Sequence, residues 1–315
     1  MRRRNALLGA SATLAAFSVR TAALAEPTVF HVSTVTIFDS APFYAADAQG
    51  YFRAENLAVT TEAVQSGAAG VPALLNGQYD VLYGNVVTTI QAIEKGFDLR
   101  IVAGGSPNPA TAPGSSALMK RRSDGFRTGK DLEGKIVGVN GINGIKWVLT
   151  RSWVKMTGGD PQKVSFVELP YPALVEAIKA KRIDVAYIVD PFMTSGLADP
   201  DVDAFAWPQV SVSAGLVNGL WIVTKQTTEQ RADLVRAFVR ALRKGGAWIN
   251  ANLGNESYFK LVSGYTKIEP GLAAKMKLVP APASISAAQI QPMVKLMRDN
   301  GLLTADIDLR PKLFT

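Results

Sequence analysis

Short apolar runs alternate with amphipathic stretches along most of the chain after residue 26. Between the earlier apolar runs, helix-type spacing predicts helices at 41–49, 71–76 and 86–95. The apolar runs themselves predict strands at 28–35, 57–64, 80–83, 100–103, 136–139, 163–169, 184–189 and 219–224. Strands that alternate with helices of this length indicate βαβ units and mostly parallel sheets. The pattern therefore predicts an α/β fold.

The segment 104–116, GGSPNPATAPGSS, divides this pattern into two series and has the composition of a linker. On either side of it, the sequences 74–83 (LLNGQYDVLY) and 178–187 (IKAKRIDVAY) share Asp-Val-x-Tyr. Each sequence predicts a helix end, a tight turn and a buried strand. We expect the same strand-after-helix unit in both halves of the protein.

The last third of the chain is mainly helical by pattern, after a strand at 219–224. A helical tail that follows two α/β series is expected to return and brace the first of them. The predicted helices are one that ends at Arg243 after a capping box of Thr227 and Gln230, one at 269–278, and one at 287–300 after a capping box of Ser286 and Gln289.

Composition and charge narrow the class of protein. The chain has 315 residues, 48% hydrophobic and 19% charged, which is typical of a globular protein, and this length favours about two domains. Residues 1–25 carry four arginines and no acid, so the rest of the chain accounts for +4 of the net charge of +8. That excess is too small and too dispersed for a dedicated nucleic-acid-binding protein.

Residues 1–25 have the three parts of an export signal: arginines at the start, an apolar stretch at 6–19, and the small-x-small sequence AALA ending at Ala25. The apolar stretch is too short to span a bilayer. We therefore expect a periplasmic protein without a permanent anchor, and the paired arginines favour the twin-arginine route over the general secretory route. The alternative is a cytosolic protein with a basic and apolar start.

Several classes of chemistry are excluded or unsupported. The chain has no cysteine, which removes thiol nucleophiles, disulfides and thiolate metal sites. Its single histidine, His31, lies in the first predicted strand and cannot form a usual zinc or iron site alone, so no metal and no cofactor are expected. No G-x-S-x-G elbow occurs, so nothing in the sequence predicts a serine hydrolase.

The sequence 136–147, IVGVNGINGIKW, places three glycines at every third position before a helical pattern. A dinucleotide loop needs G-x-G-x-x-G, and a P-loop needs Gly-Lys-Ser/Thr, whereas here Lys146 lies between Ile145 and Trp147. Both nucleotide interpretations therefore fail. A glycine-rich turn before a helix N-terminus still suits an anionic or polar ligand group, and a tight turn without a ligand is the alternative.

Four motifs in combination resemble the periplasmic solute-binding proteins of ABC importers, in the nitrate/sulfonate/taurine branch. These motifs are APFYAADAQGYFRAENL at 41–57, ALLNGQYDV at 73–81, DLEGKIVGV at 131–139 and the acid–proline pair Asp190–Pro191. Asn56 replaces the glycine that this branch usually has, which a left-handed turn position tolerates. Glutamate is commoner than Asp190 at the last motif.

The resemblance implies a two-lobed periplasmic-binding-protein fold of type II, with each lobe a mostly parallel sheet flanked by helices. It implies an export signal at 1–25, a first lobe at 26–113 and 216–315, and a second lobe at 114–215. The protein would be a monomer and not an enzyme. It would capture a small organic solute in the interlobe cleft by hinge closure and deliver it to a permease in the inner membrane.

In such a fold the ligand lies at the carboxyl ends of strands and at helix N-termini. We expect Asn85 and Asp190, which follow equivalent strands, to face each other across the cleft. The expected ligand-binding residues are Phe38, Phe43, Tyr44, Ser66, Gly67 and Asn85 in the first lobe, and Asn140, Gly141, Asn143, Tyr171 and Asp190 in the second. Alternatively, the aromatic residues pack in the core and Asp190 caps a helix.

The identity of the ligand stays open at this point, as a sulfonate, a carboxylate or a flat heterocycle. Helix N-termini and amides favour an anion, whereas Asp190 would favour an amino or ring N–H group. No arginine falls in a predicted cleft turn. Two other functions compete: a periplasmic receptor for a membrane sensor, and an enzyme that resembles a pyrimidine-precursor synthase, which would need a cysteine-rich segment and an active-site histidine.

Overall fold

The computed structural model describes residues 26–282 and 284–314, and the predicted export signal at 1–25 lies outside them. The strands are β1 Thr28–Thr34, β2 Leu57–Ala63, β3 Val81–Asn85, β4 Leu99–Gly104, β5 Ser116–Arg121, β6 Ile136–Val139, β7 Ser165–Glu168, β8 Val185–Val189, β9 Val202–Ala206 and β10 Gly219–Thr224. The helices are α1 Ala41–Ala48, α2 Tyr51–Ala54, α3 Gly67–Leu75, α4 Val86–Glu94, α5 Ile145–Met156, α6 Tyr171–Lys179, α7 Phe192–Leu197, α8 Pro208–Ser211, α9 Lys225–Gln230, α10 Ala232–Asn252, α11 Glu256–Thr266, α12 Pro270–Ala273 and α13 Gln291–Asp299.

The strands form two five-stranded sheets with matching layouts. The first has the order β2-β1-β3-β10-β4 and the second the order β7-β6-β8-β5-β9. In each sheet four strands run in one direction, and the single antiparallel strand, β10 or β5, lies between two of them. The two-lobed α/β fold expected from the sequence is confirmed.

Two extended segments connect the sheets and run beside each other. The first follows β4 and the second precedes β10, and their backbones pair from Gly105 N to Gly219 O at 2.9 Å and from Asn108 N to Leu216 O at 2.8 Å. The first sheet therefore takes its strands from before and after the second sheet. The residue-level lobe boundaries stay a prediction.

The repeated Asp-Val-x-Tyr unit has the same structure in both halves. A helix ends, one residue adopts positive φ, and a buried strand follows, with Gly77 (φ 75°) before β3 and Lys181 (φ 57°) before β8. Asn56, at the position where the branch usually has glycine, also adopts the left-handed conformation with φ 59°. Both β3 and β8 occupy the centre of their sheets.

Aromatic side chains fill the space between the first sheet and α10. The ring centre of Phe43 lies 5.3 Å from that of Phe52, 5.4 Å from that of Trp221 and 6.4 Å from that of Phe238. Burying each such side chain contributes about 1.5–3 kcal/mol. Gly245 lets α10 approach α1 closely, because a Cβ there would lie 2.0 Å from the Pro42 carbonyl oxygen.

The helical tail differs from the prediction in its boundaries. Thr224, rather than Thr227, caps a helix, since its Oγ1 accepts a hydrogen bond from Thr227 N at 3.1 Å and α9 begins at Lys225. The long helix α10 starts at Ala232 and passes Arg243 to reach Asn252. The prediction missed this extension because a Gly-Gly pair weakens helix propensity, and close packing on α1 compensates for it.

The remaining tail reaches both lobes. The predicted helix at 269–278 is a single turn, α12, and the Ser286–Gln289 capping box is confirmed, although it begins a short 3₁₀ turn before α13. Helix α11 packs on α1, α12 touches α7, and α13 contacts both α4 and α5. Within residues 26–282 and 284–314, none of the helices combines the length and apolar character needed to cross a membrane.

Candidate functional site: the interlobe cleft

The cleft lies where strands of both sheets end. Val35, Asn85, Asn140 and Val189 follow or close β1, β3, β6 and β8, and all four line one cavity of about 60 Å³. This volume holds a handful of water molecules or one small ligand group. The cavity is lined by Val35, Ile37, Phe38, Asp39, Gly67, Tyr83, Gly84, Asn85, Ser106, Asn108, Asn140, Ile145, Lys146, Tyr171, Val189, Asn218 and Gly219.

Lys146 provides a buried cation on the second-lobe side of the cavity. It occupies the first turn of α5 and is 5% exposed. Its Nζ lies 3.2 Å from Ser116 Oγ and 4.6 Å from the centre of the Tyr187 ring. No carboxylate of the described residues lies within 4.0 Å of Nζ. An ammonium group has three donors, so this side chain keeps donor capacity for a ligand.

The environment of Lys146 disfavours its charge. Burial lowers the pKa of Lys146 from 10.5 to about 7, and the Asp39 carboxylate acts in the opposite direction. An anion bound beside Nζ would favour the charged form and raise this pKa. In the sequence, Lys146 was noted only as a residue that does not fit the P-loop pattern. Its place in the first turn after the glycine-rich sequence was the signal that could have identified it.

Asp39 provides a buried carboxylate from the first lobe. It lies in a 3₁₀ turn, Phe38–Ser40, and is 6% exposed. Tyr83 Oη donates a hydrogen bond to Oδ2, and Ser106 N donates one to Oδ1 at 2.7 Å. Burial raises the pKa of Asp39, while Tyr83, Ser106 and Lys146 oppose the rise. Asp39 therefore holds the first connecting segment to the first lobe, and it too was missed by the sequence analysis.

Gly105 makes this arrangement possible. A Cβ at Gly105 would lie 2.1 Å from Asp39 Oδ2, so only glycine lets the connecting segment pass this close to the carboxylate.

The amides of Asn85 and Asn140 are oriented by the protein. Asn85 Oδ1 accepts a hydrogen bond from Thr88 N at 3.0 Å, and Asn140 Oδ1 accepts one from Tyr171 Oη at 2.9 Å. The hydrogen-bond network thus assigns the oxygen of each amide to a protein donor. Each Nδ2 group, which can only donate, remains for a ligand.

The amides of Asn108 and Asn218 are used differently. The two side chains bond each other reciprocally at 2.8 and 3.0 Å, and Asn108 Nδ2 also donates to Ser213 Oγ at 2.8 Å. They join the two connecting segments at the floor of the cleft. Neither residue was found from the sequence, because Asn108 lies in the segment of linker composition and Asn218 lies directly before a predicted strand with no motif around it.

Three of the described helices begin at the cleft without a side-chain cap. These are α3, which starts at Gly67, α5, which starts after Gly144, and α6, which starts at Tyr171. The first N–H groups of a helix have no intrahelical partner, and they lie at the positive end of the helix dipole. Together with Lys146 and the two amide nitrogens, they make the cavity rich in donors. Such a lining suits an oxyanion.

The predicted site residues separate into two groups. Phe38, Gly67, Asn85, Asn140 and Tyr171 lie together in the cavity lining. Tyr171 is buried and stacks on Phe192 with ring centres 5.8 Å apart.

The other predicted residues lie outside the cavity lining, in the core, at a helix cap or in a turn. Phe43 belongs to the aromatic core, and Tyr44 stacks on Tyr265 at 4.1 Å. Ser66 is the N-cap residue of α3, and Gly141 and Asn143 belong to the turn before α5, where Asn143 adopts φ 60°.

Asp190 and Asn85 do not face each other through their side chains. Asp190 is fully buried, and its Oδ1 accepts hydrogen bonds from Thr194 N at 3.1 Å and Thr194 Oγ1 at 2.7 Å, as a cap for α7. Its Oδ2 has no hydrogen-bond partner among the described residues. Burial raises the pKa of Asp190 to about 6. His31 lies on β1, away from the cleft, with Nδ1 2.7 Å from Thr60 Oγ1.

Comparisons with known proteins place this geometry in context. The family model described as NMT1/THI5 like matches residues 37–252. No curated protein is similar to the chain in sequence.

Solved structures share the fold at low sequence identity. The alkanesulfonate-binding protein SsuA from Xanthomonas axonopodis pv. citri, bound to MOPS, is similar with a TM-score of 0.76 and 16% identity over 92% of this chain and 99% of that one. The periplasmic aliphatic sulphonate-binding protein SsuA from Escherichia coli is similar with a TM-score of 0.73 and 15% identity, over 91% of this chain and 97% of that one. The periplasmic nitrate-binding protein NrtA from Synechocystis PCC 6803 is similar with a TM-score of 0.73 and 13% identity, over 90% of this chain and 84% of that one. At these identities the likeness shows the fold alone.

Proposed function

The chain belongs to the NMT1/THI5-like family, and on this premise we propose that it is the solute-binding component of an ABC importer. It binds a small organic anion, a sulfonate or a carboxylate, between its lobes in the periplasm. Closure of the lobes buries the anion, and the closed protein delivers it to a permease. The solved structures of sulfonate- and nitrate-binding proteins support a binding role through their shared fold.

The single observation that carries the anionic ligand is Lys146. An ammonium group in a site this buried normally has a carboxylate partner, since an unpaired buried charge is costly. Here its partner is one serine hydroxyl, and its remaining donors border the cavity. The amide nitrogens of Asn85 and Asn140 add donors to the same space. An anionic ligand group supplies the missing partner for the cation.

Catalysis has no comparable support. The chain contains no cysteine, and no histidine belongs to the cleft lining within the described residues. The same residues hold no group of three or more side chains placed to bind a metal. We therefore propose binding without turnover.

A thermal-shift screen of the mature chain tests this function. The solutes are methanesulfonate, acetate, nitrate and uncharged cytosine, in a cationic buffer that does not compete for the site. A bound anion at one hundred times its Kd stabilises the protein by about 2.7 kcal/mol, which raises Tm by several degrees. Lys146→Met is expected to abolish the shift.

Lys120→Met is the matched control, since Lys120 is 7% exposed in the same lobe but lies outside the cavity lining. This variant should keep the full anion-induced shift. A shift with cytosine and none with any anion would contradict the anionic ligand, and turnover of a solute would contradict the non-enzymatic role.

A further inference from the structure

Two buried groups of opposite charge line the same cavity from different lobes. Asp39 comes from the first lobe and Lys146 from the second, and they are 6% and 5% exposed. They do not form a direct ion pair, because no carboxylate of residues 26–282 and 284–314 lies within 4.0 Å of the Lys146 Nζ. In a cavity of about 60 Å³, an anion lies close to both groups.

This arrangement creates an electrostatic conflict for an anion. The ammonium of Lys146 attracts it, while an ionised Asp39 repels it, and both effects are strong where water is excluded. With both groups charged, the pair has no net charge and leaves the anion uncompensated. With one additional proton the pair carries a single positive charge, which balances a single negative charge.

The other titratable groups that face this pair cannot hold such a proton. Tyr83 donates to Asp39, Tyr187 lies beneath Lys146, and Tyr171 and Tyr265 lie nearby, while the charged Arg243 lines a neighbouring cavity together with Asp39. Burial raises the pKa of all four phenols, so they stay neutral and already carry their protons near pH 7. The proton therefore resides on Asp39 or Lys146.

We propose that the cleft binds a monovalent oxyanion together with one proton more than an ionised Asp39 and a charged Lys146 hold, so that Asp39 is neutral and Lys146 is charged in the bound state. This inference rests on the proposed function, in which the ligand is an anion bound in this cleft. It also sets the ligand class. A divalent anion leaves one buried negative charge without compensation, so a monovalent sulfonate is preferred to sulfate.

In the free protein, burial shifts the pKa values of Lys146 and Asp39 in the directions that agree with proton uptake on binding. Burial lowers the pKa of Lys146 to about 7 and raises the pKa of Asp39. Above pH 7 the free protein therefore lacks the Lys146 proton as well, and a bound anion restores this proton in addition to the one that Asp39 receives. At lower pH, where Lys146 is already charged, the anion raises the pKa of Asp39 further, and only the Asp39 proton is taken up. In both ranges binding takes up protons, so affinity falls as pH rises.

Isothermal titration calorimetry of the mature chain measures the proton directly. Methanesulfonate, acetate, nitrate and sulfate are titrated at pH 6 and pH 8 in two cationic buffers with different heats of ionisation, Bis-Tris and Tris. We expect uptake of up to one proton per monovalent anion at pH 6 and of between one and two protons at pH 8, with Kd rising about 10- to 100-fold per pH unit above pH 7. Sulfate is expected to bind at least about 100-fold more weakly than methanesulfonate.

Variants assign the proton to its two sites. Asp39→Asn should bind methanesulfonate more tightly and lose proton uptake at pH 6 while keeping it at pH 8. The control Lys120→Met should behave as the wild type at both pH values. Tighter binding by Asp39→Asn would distinguish an electrostatic role from a structural one, since a damaged fold weakens binding.

The outcomes separate this inference from the proposed function. A monovalent anion that binds without proton uptake at either pH, or sulfate that binds as tightly as methanesulfonate, overturns the inference and leaves the solute-binding function intact. Failure of all the anions to bind overturns both. Because the wild-type titration decides the main point, a variant that does not fold leaves the result unchanged.

Discussion

Lys146→Met is expected to stabilise the folded protein while it removes anion binding. Methionine has nearly the same length as lysine and no charge to desolvate. The variant loses one hydrogen bond, from Nζ to Ser116 Oγ, and the contact with the Tyr187 ring. The side chain is 5% exposed, so water solvates the ammonium far less in the folded state than in the unfolded chain.

The size of the effect follows from the change in pKa. Folding lowers the pKa of Lys146 from 10.5 to about 7. A shift of this size corresponds to about 5 kcal/mol of unfavourable free energy at or below pH 7, as an upper limit. Because the unfolded chain binds the extra proton between pH 7 and pH 10.5, the free energy of unfolding rises with pH in this window, by up to about 1.4 kcal/mol per unit. Replacing buried ionic groups with apolar ones commonly gains about 1–4 kcal/mol, and that is the gain expected at pH 7.

Urea unfolding of the wild type, Lys146→Met and Lys120→Met between pH 6 and pH 9 tests this reasoning. The wild type should gain about 2–3 kcal/mol from pH 7 to pH 9 relative to Lys146→Met, whose curve lacks this component. Titrating groups that do not interact with Lys146 cancel in the difference. Equal pH slopes for the wild type and Lys146→Met, or a variant less stable than the wild type at pH 7, would refute the assignment of Lys146 as a buried, unpaired cation.

Four further substitutions test the fold and the site. Asp190→Asn keeps an acceptor for Thr194 and removes the buried charge, so the free energy of unfolding at pH 7 should rise by up to about 3 kcal/mol. This gain should disappear as the pH falls through 6 towards 4, where Asp190 of the wild type is protonated. Calorimetry should show a solute affinity within twofold of the wild type. Gly245→Ala should cost at least about 2 kcal/mol in urea unfolding, because a Cβ there meets a carbonyl of α1, whereas Gly264→Ala, with open space around it, should gain up to about 1 kcal/mol. Tyr171→Phe should weaken binding by up to about tenfold without loss of Tm, because it releases the Asn140 amide.

The spacing of apolar residues and the turn-forming residues predicted the fold, because both are local properties of the sequence. Alternating short strands and helices, the Asp-Val-x-Tyr unit and the left-handed Asn56 each depend on residues close in sequence. The errors lie where a distant contact decides the outcome. The extension of α10 through Gly245 depends on the packing of α10 against α1, which the periodicity of α10 does not show.

The same distinction explains the predicted site. Asn85 and Asn140 follow buried strands, so the strand-end rule locates them. Phe38 and Phe43 are close in sequence, but Phe38 lies in the 3₁₀ turn before α1, whereas Phe43 lies on the face of α1 that packs into the core. Asp190 follows a strand as predicted. However, the first turn of α7 places Thr194 within hydrogen-bonding distance, and Thr194 Oγ1 donates to Asp190 Oδ1.

The charges of the cleft could not be predicted from either lobe alone. Asp39 acquires its role from the connecting segment that passes over it at Gly105 and Ser106, and Lys146 acquires its role from β5, which supplies Ser116. Each side chain is buried by elements far away in sequence. Asp39 and Lys146 line one cavity from different lobes, so under the proposed function the protonation of the cleft depends on the closure of the lobes.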